Sequence, residues 1–127
     1  MLEKIKQKIM MIDAEKDFLD IVKLNLEDTG NYDVCPVWES MDFLPQFQRF
    51  CPHLLIIYMM IPRTDGWNVC RKLSKDPQGQ KTPIIIFSSF LEDIDEIRAL
   101  NLNVVDCLSK PIDKDELIEK LVKIFPA

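Results

Sequence analysis

Three short, uninterrupted apolar runs constrain the fold of this 127-residue chain more than its other features do. They are Lys8–Ile12 (KIMMI), Leu54–Ile57 (LLII) and Pro83–Phe87 (PIIIF), and polar or turn residues bound each of them. Strands that are buried on both faces show such continuous runs, whereas strands with one solvated face alternate apolar and polar residues. The runs therefore predict parallel strands in the interior of a sheet.

Two weaker segments predict further strands. Tyr32–Val37 carries Pro36, and Val104–Leu108 is interrupted by a single aspartate. Because proline cannot donate a hydrogen bond to an interior ladder, we expect Tyr32–Val37 to lie at an edge of the sheet.

Helix-period segments, in which apolar residues recur every three or four positions, alternate with the strands. Asp113 opens the last of them, with Glu116 at the spacing of a capping box. This alternation predicts a doubly wound α/β fold in a single domain spanning 1–127, with helices on both faces of a parallel sheet. The other predicted helices are Asp17–Asp28, Asp42–Phe50, Gly66–Lys75 and Asp93–Asn101.

Charge and hydropathy exclude some classes of protein. The formal net charge is −5 and the sequence pI is about 4.9, which is the wrong sign for neutralising nucleic acid phosphates. No apolar run approaches the ~20 residues of a membrane span, and Met1–Lys8 has no signal-peptide core. We therefore expect a cytoplasmic protein that binds neither nucleic acid nor membrane.

The four cysteines include no CxxC pair, and His53 is the only histidine. A zinc site or a serine–histidine–aspartate triad thus has few ligands or bases to draw on. We expect reduced thiols in or near the core and a histidine at the edge of a strand. The cysteines are Cys35, Cys51, Cys70 and Cys107.

Candidate functional residues follow the strands, because ligands of open α/β sheets bind beyond the carboxyl ends of the strands. An acid, a hydroxyl and an ammonium at this edge can bind phosphate, a metal or one another. The chain has neither a glycine-rich phosphate cradle nor a glycine-flanked nucleophilic serine, so we predict that it is not an enzyme. The segments are Asp13-Ala14-Glu15, Tyr58-Met59-Met60, Ser88-Ser89 and Ser109-Lys110-Pro111.

Four motifs, at the ends of the first, third, fourth and fifth predicted strands, are KIMMID, PHLLIIYMMIPRTDGW, PIIIFSS and CLSKPID. Through these motifs nearly the whole chain resembles the receiver domain of bacterial and archaeal two-component response regulators. The resemblance implies a flavodoxin-like (CheY-like) fold with strand order 2-1-3-4-5 and five helices.

The resemblance also implies a chemistry of phosphoryl transfer. In the family an aspartate at the end of the third strand accepts a phosphoryl group from a histidine kinase, and a preceding acidic pair holds magnesium. A hydroxyl and a lysine bind the phosphoryl oxygens. In this chain the acceptor position holds Tyr58, the acidic pair is Asp13-Ala14, and the hydroxyl and lysine are Ser88 and Lys110.

These departures change the expected chemistry. A phenol is largely protonated at neutral pH and would form a stable aryl ester rather than an acyl phosphate, so we do not expect Tyr58 to be phosphorylated. Since Ala14 replaces the second acid, Asp13 is at best a weak, vestigial magnesium ligand. We expect no bound cofactor.

The sequence thus predicts a pseudo-receiver that acts as a phosphorylation-independent protein interaction module. Its partner would be a histidine kinase or a downstream output protein. One alternative is a phosphorelay response regulator phosphorylated at a substitute site. Another is a small-molecule or anion sensor that uses the phosphate pocket left by Ser88 and Lys110.

A structural role for the pocket residues is also open. Lys110 can pair with Asp13, with Tyr58 adjacent, while Ser88 hydrogen-bonds locally. Exposed aromatic residues are enriched at interfaces, so Trp38 and Trp67 are candidate contact residues, although each can also pack against its own domain.

Overall fold

The computed structural model contains a five-stranded parallel sheet with the order β2-β1-β3-β4-β5. This confirms the predicted fold class and strand order, and it places β2, the strand with Pro36, at an edge. The structure describes residues 5–13, 15–38, 43–58, 65–87, 100–109 and 113–125. The strands are β1 Gln7–Ile12, β2 Tyr32–Val37, β3 Leu54–Tyr58, β4 Ile84–Phe87 and β5 Val104–Leu108.

Five helices lie within the described ranges, and four of them occupy predicted segments. Pro45 falls in the first turn of α2, where a helix needs no N–H donor, so the proline does not kink it. The helices are α1 Lys16–Asp28, α2 Phe43–Phe50, α3 Asp65–Ser74, α4 Pro77–Lys81 and α5 Lys114–Ile124.

Helix α4 is the element that the sequence analysis missed. The Asp76 carboxylate accepts a hydrogen bond of 2.8 Å from Gly79 N–H, and Pro77 occupies the first helical position. A capping aspartate followed by proline is a recognised start signal, but a five-residue helix is too short to show periodicity.

Two of the sequence predictions concern helix ends. Most of the predicted helix Asp93–Asn101 lies outside the described residues, and its last two residues form a turn in which Asn101 has a φ of 60°. The prediction of a capping box at the start of α5 is wrong. Asp113 is the N-cap, but its exposed side chain makes no capping hydrogen bond. At such an exposed position water can satisfy the unpaired backbone N–H groups of the first turn, which removes the need for the bond.

The sheet divides the core into two layers, because alternate residues of a strand point to opposite faces. Leu55 and Ile57 pack with α2 and α3 in one layer, while Leu54 and Ile56 pack with α1 and α5 in the other. All four side chains are buried. This two-sided burial explains why the central strands read as continuous apolar runs.

Side chains of α1 cover part of the free edge of β2. Glu27 Oε2 accepts a hydrogen bond of 3.0 Å from Val34 N–H, and Lys23 Nζ donates one of 2.9 Å to the Val34 carbonyl. The Lys23 ammonium also contacts Glu27 Oε2 at 3.2 Å. Two residues further along, Pro36 presents no N–H.

None of the described helices combines the length and the apolar character that crossing a bilayer requires.

Candidate functional site

The candidate site lies where β1 and β3 end side by side. The chain leaves β1 for β2 on one side and returns to β3 on the other, so the β1/β3 boundary is the topological switch point of the sheet. Ile12 is opposite Ile57 in the ladder, and the next residues are Asp13 and Tyr58. Adjacent strands are about 4.8 Å apart, so the structure brings these two predicted site residues together.

Asp13 is held on two sides. Its side chain is 1% exposed, and its Oδ1 accepts a hydrogen bond of 2.9 Å from Glu15 N–H at the start of α1. Its own N–H donates to the Val37 carbonyl at 3.0 Å, which continues the ladder to β2. Asp13 therefore has a structural role, because it fixes the start of α1 relative to the sheet.

Tyr58 is the last residue of β3 and is half-buried. Its side chain packs against both core layers, and Phe87 at the end of β4 lies opposite it in the ladder. Because β3 lies between β1 and β4, a large aromatic residue stands between Asp13 and the end of β4.

Aromatic rings also surround the start of α1. The Phe18 ring meets the Phe87 ring edge-on, with centroids 6.4 Å apart. Lys16 Nζ lies 5.2 Å from the centroid of the Trp38 ring, which follows β2 and is 48% exposed. This part of the edge is thus aromatic and carries a cation. Trp38 is exposed, and its role as a contact residue stays a prediction.

Trp67 behaves differently from Trp38. It is only partly exposed, packs against the layer that contains α2 and α3, and has the Arg71 guanidinium 5.9 Å from its ring centroid. The alternative in which this residue packs against its own domain is therefore correct.

At the end of β5, Cys107 occupies the position that is three residues before Lys110. It is half-buried, and its N–H donates to Asp106 Oδ1 at 2.8 Å. The other oxygen of Asp106 pairs with Lys120 Nζ at 3.1 Å. The exposed Ser109 then leads to the lysine.

Three predicted site residues, Ala14, Ser88 and Lys110, lie outside the described residues. The pairing of Lys110 with Asp13 and the phosphate pocket of Ser88 and Lys110 therefore stay predictions. Within the described ranges, no group of three or more histidine, cysteine or acidic residues has the arrangement of a metal site.

The cysteines are free thiols, as expected, but one lies outside the core. Burial raises the pKa of Cys70 to about 12, and burial also raises the pKa of the half-buried Cys35. The prediction of a core or near-core thiol is wrong for Cys51, which is exposed. Cys51 follows α2 with a φ of 49°, and its Sγ donates to the Gln48 carbonyl at 3.0 Å, so it acts as a helix end and not as a packing residue.

His53 precedes β3, at the opposite end of the sheet from the site. Its Nδ1 accepts a hydrogen bond of 2.9 Å from Lys8 N–H, and its own N–H donates to the Lys8 carbonyl at 2.8 Å. The expectation of a strand-edge histidine is confirmed. His53 is separated from Tyr58 by the length of β3, which is too far for it to act there.

Comparisons with known proteins agree with this architecture. The family model described as the response regulator receiver domain matches residues 9–122. The chain is similar to a putative response regulator from Chloroflexus aurantiacus, with a TM-score of 0.79 and 21% identity over 97% of this chain and 100% of the other.

Two other solved structures show the same fold. The chemotaxis protein CheY4 of Vibrio cholerae has a TM-score of 0.82 and 20% identity over 94% of this chain and 99% of its own. The receiver domain of the sensor histidine kinase PA1611 from Pseudomonas aeruginosa, with a magnesium ion in its active site cleft, has a TM-score of 0.77 and 20% identity over 97% and 100%.

Proposed function

We propose, from the premise that this chain belongs to the response regulator receiver domain family, that it is a pseudo-receiver. Receiver domains work in signal transduction, where they interact with histidine kinases or output domains and are in general not enzymes. In our proposal this chain contacts its protein partner without first accepting a phosphoryl group.

The observation that carries the proposal is Tyr58 at the end of β3, beside Asp13. Family resemblance puts the phosphoacceptor aspartate at this position. Formation of an acyl phosphate needs a carboxylate nucleophile, and the phenol of Tyr58 cannot form an acyl phosphate. The ring is also half-buried against both core layers, which supports a packing role.

The donor set at the site fits magnesium poorly, which is a second support for the proposal. Magnesium takes oxygen ligands in near-octahedral geometry and usually one or two carboxylates. Ala14 offers no ligand at the second acidic position, and Asp13 already accepts a hydrogen bond from Glu15 N–H. We therefore expect weak magnesium binding or none, and no step of the proposed function uses the ion.

The test is intact-mass spectrometry after incubation with acetyl phosphate and magnesium. The unchanged protein should gain no mass, because its acceptor position holds a phenol. The matched control is the double variant Tyr58→Asp with Ala14→Asp, which restores both missing carboxylates. It should gain one phosphoryl group that hydroxylamine removes, as expected of an acyl phosphate.

A stoichiometric, hydroxylamine-labile mass gain by the unchanged protein would overturn the pseudo-receiver. Borohydride reduction followed by peptide mapping then locates the modified carboxylate, which identifies the substitute acceptor. A rise in melting temperature with inorganic phosphate, absent in Lys110→Met, would instead favour the anion sensor.

A further inference from the structure

The His53 side chain connects two elements at the edge of the sheet where the strands begin. Its Nδ1 accepts a hydrogen bond of 2.9 Å from the Lys8 N–H of β1. Its ring meets the ring of Phe125, just after α5, edge-on with centroids 6.5 Å apart. His53 itself comes directly before β3. One imidazole therefore contacts both β1 and the end of α5.

The hydrogen bond from Lys8 determines which form of the imidazole the fold needs. A backbone N–H can only donate, so His53 Nδ1 must carry a lone pair, and the neutral ring must hold its proton on Nε2. An imidazolium has a proton on both nitrogens and accepts no hydrogen bond. Protonation of His53 would therefore break this bond and set two donors against each other.

The charged groups of β1 do not favour an imidazolium at this position. The Lys8 ammonium is itself a cation, and its Nζ donates to the Phe50 carbonyl at the end of α2 at 2.8 Å. Lys6 Nζ lies 3.9 Å from Asp33 Oδ1, so the carboxylate on the neighbouring strand already has a cation as its partner.

The other segments next to His53 supply no compensating carboxylate within the described part of the chain. The end of α5 brings the uncharged Phe125 ring and the exposed Lys123, and the segment after α2 brings the exposed thiol of Cys51. None of the ion pairs between described residues involves His53. A proton on the imidazole thus removes a hydrogen bond without adding an ion pair.

We propose that His53 makes the start of the sheet sensitive to pH. The neutral imidazole holds the Lys8 N–H, and protonation releases it and frees the ring to turn away from Phe125. The His53 N–H still donates to the Lys8 carbonyl at 2.8 Å, so β1 and β3 stay paired and the change is local. This device is independent of the proposed function.

The pH range of the device follows from the chemistry of histidine. An imidazole ordinarily takes up its proton near pH ~6.5, so the contact should hold above that value and open as the pH falls toward ~5.5. Carboxyl groups ordinarily titrate near pH ~4, which separates this effect from theirs. His53 is exposed, so solvent protons reach it, and loss of an acceptor is not screened by water as a charge would be.

The test is NMR spectroscopy of the full chain labelled with ¹⁵N. At about pH 7.5 the imidazole nitrogens of His53 should show the Nε2–H tautomer. Hydrogen exchange of the Lys8 amide, corrected for the intrinsic effect of pH on exchange, measures the bond. Its protection factor should fall about fivefold between about pH 7.5 and about pH 5.5, which corresponds to the ordinary contribution of one hydrogen bond.

Two variants separate His53 from other titrating groups. His53→Asn is the matched control, because an amide oxygen can accept from the Lys8 N–H and does not titrate in this range. Its Lys8 protection should be the same at both pH values. His53→Leu has no acceptor, so its Lys8 protection should be low at both. The position is exposed, and both variants should stay folded.

Three results would overturn the inference. The first is equal protection of the Lys8 amide at both pH values in the unchanged protein. The second is an equal fall in His53→Asn, which would assign the effect to another group. The third is an Nδ1–H tautomer of His53 at neutral pH, which needs no variant to fold. None of these measurements involves phosphorylation or a partner, so failure here is distinguishable from failure of the pseudo-receiver.

Discussion

At the scale of single residues, Asp13 is the side chain on which the site depends most. A carboxylate that is 1% exposed is costly unless hydrogen bonds or an opposite charge compensate it. The hydrogen bond from Glu15 N–H supplies part of that compensation. Lys110 is the residue predicted to supply the opposite charge.

We predict that Asp13 and Lys110 are energetically coupled. Lys110→Met should destabilise the protein by roughly 3 kcal/mol, because it leaves the buried carboxylate without its cation. Combining it with Asp13→Leu should recover much of that loss, which is the sign of coupling in a double-mutant cycle. Urea unfolding of the four proteins measures it, and additive effects would show that Lys110 is not the partner of Asp13.

The four thiols should differ in reactivity. Cys51 is exposed, whereas Cys70 is 0% exposed and burial raises its pKa to about 12. Because the thiolate is the reactive form, iodoacetamide at mildly alkaline pH should label Cys51 first and Cys70 only after unfolding. Peptide mapping of the alkylated protein measures the order, and early labelling of Cys70 would contradict the described packing.

The sequence predicts residues of the site where apolar runs position them. Asp13 and Tyr58 lie at adjacent strand ends because KIMMI and LLII end one residue before them. The sequence does not predict the position of Cys51, because a cysteine side chain does not indicate the left-handed backbone that ends α2. The Pro52 that follows was the available signal, since proline is common just beyond a helix end.

At the scale of elements, the contact between α1 and β2 should make stability depend on pH. Burial alone would raise the pKa of Glu27, but hydrogen bonds from Val34 N–H and Lys23 lower it below its ordinary value. A lowered pKa in the folded state means that Glu27 stabilises the fold above its ordinary pKa. This contribution is lost as the pH falls through the lowered value.

We therefore predict that Glu27→Gln destabilises the protein by about 1 kcal/mol near neutral pH and by less in acid. Urea unfolding at about pH 7 and about pH 3 measures the difference between the two proteins. Glu119→Gln, an exposed substitution on α5, is the control and should have little effect at either pH. A Glu27→Gln effect that did not shrink in acid would show that its charge is not involved.

Element boundaries were predictable where side-chain pattern alone decides them. The bounds of β2 and β5 match the sequence expectation, because turn residues flank both segments. The predicted capping box of α5 is wrong, because residue types at the right spacing need not form the bond where water can satisfy the exposed N–H groups of the first turn. Helix α4 shows the converse, since a local Asp-Pro signal exists without periodicity.

At the scale of the whole molecule, the two core layers give a prediction about neighbouring residues of β3. Leu55 and Ile56 point to opposite faces of the sheet, yet both are buried. Leu55→Ala and Ile56→Ala should each lower the free energy of unfolding by about 2–5 kcal/mol. Val105→Ala on β5, where the side chain is exposed, should cost less, and urea unfolding compares the three.

If one face of the sheet were solvated, one of the two β3 substitutions would cost little. Similar large losses would match the continuous apolar run from which the parallel sheet was predicted. A small loss in the free energy of unfolding at either position would contradict the two-layer core.

The covered edge of β2 affects how readily the protein aggregates at high concentration. An open strand edge is a template for fibril growth, because any extended segment can hydrogen-bond to it. Here the N–H and the carbonyl of Val34 already hydrogen-bond to Glu27 and Lys23, so they are not available to an incoming strand. Pro36 has no N–H to donate. Aggregation by strand addition is therefore disfavoured at this edge.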